Sequence, residues 1–178
     1  MAVLKKTTLE LEHKFDRKSC RHYLNGYITV LHCHHYSSLY TQLAIDAKET
    51  DLLMKVSEET FYKLLSDYFS KHNVKKLDEK IDIACQYYSA LGLGIIEVNH
   101  LGEYSGEVYS PSSHIDSGWM KKWGAYDRPV NYITSGYISA LFASVMDYPP
   151  GTYKTCEIES IVMGAQKSVF KVVKVGGI

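Results

Sequence analysis

The chain has 178 residues, enough for one domain that removes roughly 70% of its extended-chain surface from water. Lys+Arg and Asp+Glu both number 20, so no global field draws the protein to nucleic acid or to an anionic membrane. The cysteines Cys20, Cys33, Cys85 and Cys156 are widely spaced with no CxxC pair, which argues against a disulfide scaffold and for a reducing, cytoplasmic compartment. No apolar run approaches the roughly 18 residues of a membrane span, and "MAVLKKTTLELEHKF" lacks the apolar stretch of an export signal. Tyrosine is abundant, 15 of 178 residues, which suits ordinary strands and also half-polar pockets and interfaces.

In chain order, "TLELEHKF" (8–15) alternates as a half-buried strand. "RHYLNGYITVLHCHH" (21–35) places Asn25-Gly26 between two β-prone runs, a hairpin signal, with the second arm running through Val30 into the histidines. "YSSLYTQLAIDA" (36–47) reads as a helix with Leu39, Tyr40, Leu43 and Ala44 on its apolar stripe. A second helix over 57–73 opens with Ser57 as cap, and a third over 76–94 closes at Gly92 or Gly94. Residues 95–101 and 105–110 form a strand pair around "GEY". "SSHIDSGWMKKWG" (112–124) is a short helix capped by Ser112 or Ser113, with Trp119 and Trp123 on one face. An apolar helix spans 128–151 up to Pro149-Pro150-Gly151, and strands at 152–163 and 168–175 follow, joined by a turn at "GAQK". The whole, 1–178, is one α+β domain.

His32, Cys33, His34 and His35 stand side by side. On a strand, His32 and His34 share a face with Val30, Cys33 points away, and His35 turns at the strand-to-helix junction. Two imidazoles over one space suit a transition metal or haem with a third ligand from His35, His100 or His114; the set His32, His34 and His100 is one such site. The same residues equally suit a polar wall or a dimer seam. "SALGLG" (89–94) reads as a helix stop, no G-x-S-x-G elbow supports a hydrolase, and Glu157 and Glu159 fall on one strand face.

"PVN" (129–131), "GY" (136–137) and "ESIVMGAQKSVF" (159–170) make residues 128–175 resemble the vinyl-4-reductase, or hydrocarbon-binding, domain family. The resemblance implies a TRAPP-like fold: a twisted antiparallel sheet packed against helices, often dimeric, with an apolar cavity between them. It also implies a structural zinc held by three cysteines and a glutamate. Here those positions are Asn131, Glu157, Ser160 and Ser168, which lack thiolates, so zinc is expected to be absent and replaced by hydrogen bonds. His114 falls where the family places cavity-lining side chains. With Tyr-rich composition, this points to a module binding a small hydrophobic or aromatic molecule through His32, His34, His35, Tyr36, Tyr40, His114, Trp119, Trp123 and Tyr132. The sequence has no helix-turn-helix or ATPase segment, so an output would pass to a separate protein partner. A metal- or haem-dependent enzyme at the histidine cluster and an accessory or assembly protein are the alternatives, and a homodimer is expected.

Overall fold

A computed structural model describes residues 7–176; part of the N-terminal stretch read above for an export signal lies outside that range. The C-terminal half is built around α5 (Tyr132–Val145), in which every residue from Thr134 to Val145 is buried. A helix apolar on all sides must be enclosed on all sides. One side is closed by a four-stranded antiparallel sheet of β4 (Gly94–Leu101), β5 (Ser105–Ser113), β6 (Tyr153–Glu159) and β7 (Ser168–Lys174), in the order β4-β5-β7-β6. The other side is closed by α2 (Thr50–Lys71) and α3 (Leu77–Ala90). The main core joins Leu65, Tyr87, Tyr88, Tyr137, Phe142 and Phe170 from these layers. The tyrosine hydroxyls there are matched: Tyr88 with Thr134 Oγ1 at 2.9 Å, and Tyr137 donating to the Ala84 carbonyl at 2.7 Å.

Two glycines allow the layers to meet. A Cβ on Gly136 would lie 2.3 Å from the Met54 carbonyl oxygen of α2, and one on Gly106 would lie 2.2 Å from the Phe142 ring. The Gly136 contact also corrects the start of α2. Ser57 is not a cap but an interior residue, buried against α5, where its hydroxyl donates to the Ile133 carbonyl at 2.7 Å. The helix begins seven residues earlier, at Thr50.

The N-terminal part forms a second, three-stranded antiparallel sheet of β1 (His13–Asp16), β2 (Arg21–Leu24) and β3 (Tyr27–Thr29). Asn25 and Gly26 both have positive φ (49° and 87°), as the expected two-residue hairpin requires. Asn25 also holds the preceding segment, accepting from the Glu12 N–H at 2.7 Å and donating to the Glu10 carbonyl at 3.2 Å. Residues 8–12 are therefore tied down by side chains rather than paired as a strand, and β1 is shorter than the alternation suggests.

Beside this sheet, α1 (His34–Ala47) packs on α4 (His114–Trp123). The predicted apolar stripe of α1 faces outward: Leu39, Tyr40 and Leu43 are exposed, while Ser37, Ser38 and Thr41 are buried. Close approach is the reason, since a Cβ on Gly118 of α4 would meet Ser38 Oγ at 2.7 Å and His34 Cβ at 2.9 Å. Only small side chains fit that seam. Among the described residues, no helix is long and apolar enough to cross a membrane, and no disulfide joins the four cysteines.

Replacing Gly136 by Ala or Val should force α2 and α5 apart. Overpacking of this kind costs about 1–3 kcal/mol, which for a chain of this length lowers Tm by about 3–10 °C. Thermal unfolding followed by circular dichroism measures it, and an unchanged Tm would mean the helices have slack at that crossing.

Candidate functional site

Between the N-terminal sheet, α1 and the α3–β4 corner lies a cavity of about 680 Å³. Leu11 and Leu24 come from the small sheet, Val30 and Leu31 from the segment after it, Leu91 and Leu93 from the corner, and Ile133 from the start of α5. Against this apolar lining stand His32, Ser37, Tyr40 and His114, with His13 and His22 on the sheet wall. The Asn25-Gly26 turn sets this wall by fixing the register of β2 on β3 and holding residues 10–12 alongside. The opposite wall is set by the His114 N–H donating to the Leu93 carbonyl at 2.9 Å, which ties the start of α4 to the corner.

His32, Tyr40 and His114 of the expected set line this cavity. The strand parity assumed for the histidines does not hold, because β3 ends at Thr29 and α1 begins at His34. His32 lies in the connecting segment, edge-on to Tyr36 and Tyr40 at 5.9 and 6.0 Å. His34 opens α1 with its ring 6.2 Å from that of His114, whereas His35 and Tyr36 are exposed. Trp119 is buried in a small cluster with Ile115, Val130 and Val162, Trp123 stacks beside it half-exposed, and Tyr132 is half-buried at the start of α5; none of these three lines the cavity. His100 sits on β4, and among the described residues no three His, Cys, Asp or Glu side chains converge as metal ligands. The set His32, His34 and His100 is thus not brought together.

Sequence reasoning missed His13, His22 and Ser37. His13 was read only as part of an alternation, and the pairing of β1 with β2 carried no turn signal comparable to Asn-Gly. Next to the cavity, His34 Nε2, Thr41 Oγ1 and Trp119 Nε1 are buried with no protein partner. Loss of hydration, followed by the nearby His35, Lys121 and His114 charges, holds His34 below the ordinary histidine range. A buried polar atom left unpaired costs about 1–3 kcal/mol, so three in one α1–α4 seam make it a place that welcomes an added polar group.

Below the cavity, Asn131 joins two buried carboxylates. Its side-chain amide donates to both oxygens of Asp116 at 2.8 Å and to Glu157 Oε1 at 3.0 Å, and its backbone N–H donates to Glu157 Oε2 at 3.1 Å. Ser113 donates to Asn131 Oδ1 at 2.8 Å, and Ser168 donates to Asp116 Oδ2 at 3.2 Å. Ser160 is buried beside them in sequence with its hydroxyl unpartnered. Glu157 and Glu159 do not share a face: a strand irregularity between them leaves Glu157 at 6% exposure and turns Glu159 out. Asp116 was not anticipated, although Ser113-x-x-Asp116 is a helix-start pattern, and the Asp116 N–H does donate to Ser113 Oγ at 3.1 Å. Among the described residues no cationic side chain pairs with either carboxylate. Hydroxyls and an amide NH₂ turned toward the carboxylates do not fit a thiolate-type zinc centre.

No protein-family model and no curated protein matches the chain. By structure it is similar to the phenol-responsive sensory domain of the transcription activator PoxR, solved with phenol, with a TM-score of 0.76 at 13% identity, covering 91% of this chain and 84% of that one. It is also similar to a vinyl-4-reductase family protein from Methanocaldococcus jannaschii (TM-score 0.57, 15% identity, 83% and 84% covered). A third likeness is to a trafficking protein particle complex subunit 3 from Naegleria fowleri covalently bound to palmitic acid (TM-score 0.52, 16% identity, 78% and 90% covered). The fold is vinyl-4-reductase-type and TRAPP-like. Its sheet, central helix and flanking helices are those the C-terminal landmarks implied.

Within this fold the carboxylate pair makes stability depend on pH. Burial first, and then the Glu157 charge, push Asp116 up to about 6 from 3.8. Because its folded value lies above the unfolded one, folding is most favoured with Asp116 protonated. That advantage is complete below about pH 4 and is lost as pH rises through 6, a change of about 3 kcal/mol. Asp116→Asn should flatten this slope in denaturant unfolding measured between pH 4 and 7. A variant with the wild-type slope would show that another group carries it.

Proposed function

We propose that this protein binds a small hydrophobic or aromatic molecule in the cavity between the N-terminal sheet, α1 and the α3–β4 corner. The observation that carries the reading is the pairing of about 680 Å³ of leucine-rich space with a few polar groups set in its walls. That is the usual make-up of a small-molecule site, in which apolar area gives affinity and a few polar atoms give orientation. Ser37, His114 and Tyr40 are placed to meet a hydroxyl or similar group, with His34 behind His114. The likeness to a phenol-responsive domain solved with phenol supports an aromatic ligand with one polar substituent. A cytoplasmic site of action accords with cysteines that form no disulfide. The lock around Asn131 works in this reading without zinc, because its hydrogen bonds already join α4, α5, β6 and β7.

Phenol and alkylphenols, tested against cyclohexanol and benzoate, should include a ligand that raises Tm. At about 100 times its Kd such a ligand adds about 2.7 kcal/mol, or about 5–10 °C for this length. Leu93→Trp, which fills the cavity, should abolish the shift, and dialysis against EDTA should leave Tm where it was. No shift with any compound, or an unaltered response in Leu93→Trp, would count against the reading.

The outward face of α1 favours a second, compatible reading, assembly into a homodimer. Tyr36, Leu39 and Leu43 recur at helical spacing and are 55%, 38% and 55% exposed. A second copy offers the same self-complementary stripe about a two-fold axis. Light scattering should give a dimer mass for the wild type and a monomer for Leu39→Glu/Leu43→Glu; a monomeric wild type at tens of micromolar would sink it.

A further inference from the structure

His13 and His22 come together on the cavity wall through strand register. His13 pairs with Leu24 and Phe15 with His22, so the two histidines are diagonal neighbours on one face of the small sheet. Diagonal side chains on antiparallel strands are within reach of each other when they are long or aromatic. The rings lie nearly parallel, 8° between planes with centroids 5.1 Å apart, and His13 Nε2 stands 3.0 Å from His22 Nδ1. Phe15 packs on His22 at 4.6 Å, which limits the ring's freedom. Both histidines line the cavity.

One ring nitrogen of this pair donates and the other accepts, so the two nitrogens face each other along the bond. Two imidazole nitrogens on a tetrahedral zinc ion, each about 2.0–2.1 Å from the metal, lie about 3.3 Å apart. The pair reaches that spacing by opening a few tenths of an ångström, with each ring turning about its side-chain bonds so that both lone pairs converge on the ion. The shared proton leaves for the far nitrogen of its own ring through solvent, so two neutral imidazoles with lone pairs face the ion. Neutral imidazole suits zinc, nickel and copper, and metal binding competes with protonation of the rings. His34 and His35 differ: their rings pack at 4.2 Å, tilted by 33°, and His34 Nε2 has no hydrogen-bond partner.

We propose that His13 and His22 form a two-imidazole site for a divalent transition-metal ion on the cavity wall. The ion's remaining positions are open to water and to an oxygen or nitrogen donor of the cavity's occupant. The metal site stands on the geometry of the pair; coordination of the occupant rests on the small-molecule reading above. Among the described residues no third His, Cys, Asp or Glu joins them, so the site is an exchangeable one rather than a closed structural centre.

The test begins with full-length protein dialysed against EDTA and returned to chelator-free buffer near neutral pH. ZnCl₂ and, separately, NiCl₂ are titrated by calorimetry into wild type, His13→Ala, His22→Ala and the control His34→Ala/His35→Ala. Wild type and control should each show one saturable equivalent, and His13→Ala and His22→Ala should bind at least about 10-fold more weakly. His13→Gln and His22→Gln, which keep a hydrogen-bonding side chain, should bind as weakly as the alanine variants, separating ligation from folding. Zinc should also shift the His13 Nε2 and His22 Nδ1 resonances in ¹⁵N spectra more than those of other histidines. No saturable binding in wild type, or binding that follows His34 and His35, would overturn the site. The titration contains no organic ligand, so its failure leaves the cavity reading standing. Metal binding that leaves the affinity for a cavity ligand unchanged would remove the coordination of the occupant.

Discussion

A helix with no solvent-facing side dictates the arrangement of everything around it. Because α5 buries each residue from Thr134 to Val145, it needs a sheet on one flank and helices on the other. Those partners can approach only where side chains are missing, at Gly136 against α2 and at Gly106 against Phe142. The polar residues that α5 does carry are matched across these contacts, Thr134 with Tyr88 and Ser139 with Thr155 at 2.8 Å. The start of α5 is fixed by Asn131, and the end by Lys80, whose ammonium donates to the Val145 carbonyl at 3.4 Å and pairs with Asp147 at 2.6 Å. The helix is thereby held at both ends, and the cavity forms where its first turn, at Ile133, meets α4 and the α3–β4 corner.

Asn131 forms a polar cross-link at the positions where the sequence resemblance implies a metal. A thiolate–zinc centre ties several strands and helices together with strong bonds that weaken only as protons compete for the ligands. Here one amide group bridges Asp116 of α4 and Glu157 of β6, and Ser168 of β7 completes the link. Two buried carboxylates without a cation are costly, and a proton on Asp116 relieves the cost. The titratable groups facing the pair are Tyr88 of α3, and Tyr132 of α5 toward Glu157, both held protonated by burial. Neither brings positive charge, so the proton on the pair itself is the available neutraliser among the described neighbours.

Local turn chemistry made the hairpin legible: Asn25-Gly26 needs positive φ at both residues, and only a few residue pairs tolerate that. The order of elements from α3 onward was legible for the same reason, since Gly92, Gly124 and Pro149-Pro150 punctuate strong periodicities. The start of α2 was hidden because Ser57, a good capping residue, is used instead for a tertiary bond to Ile133. The histidine stretch misled through a similar ambiguity. Cys33 caps α1 without a side-chain hydrogen bond, so nothing in the sequence marks the strand ending at Thr29. Of the expected set, His32, Tyr40 and His114 lie around one space, while His13 and His22 join it through a β1–β2 pairing that no local pattern encodes.

The inverted polarity of α1 links these points. A helix normally turns its apolar stripe inward, yet here Ser37, Ser38 and Thr41 face α4 while Leu39, Tyr40 and Leu43 face out. Close packing against Gly118 requires the small residues, and it brings Thr41, His34 and Trp119 into the seam with polar atoms unmatched by protein. A seam with unmatched polar atoms is weaker than an apolar one of the same size, so α1 is held to the body less firmly than α5. The same helix carries Ser37 and Tyr40 of the cavity wall on one flank and the exposed leucines on the other. Ser37 and Tyr40 of the cavity wall and the exposed Leu39 and Leu43 thus belong to one helix, so a displacement of α1 at the cavity would be carried directly to its outer face.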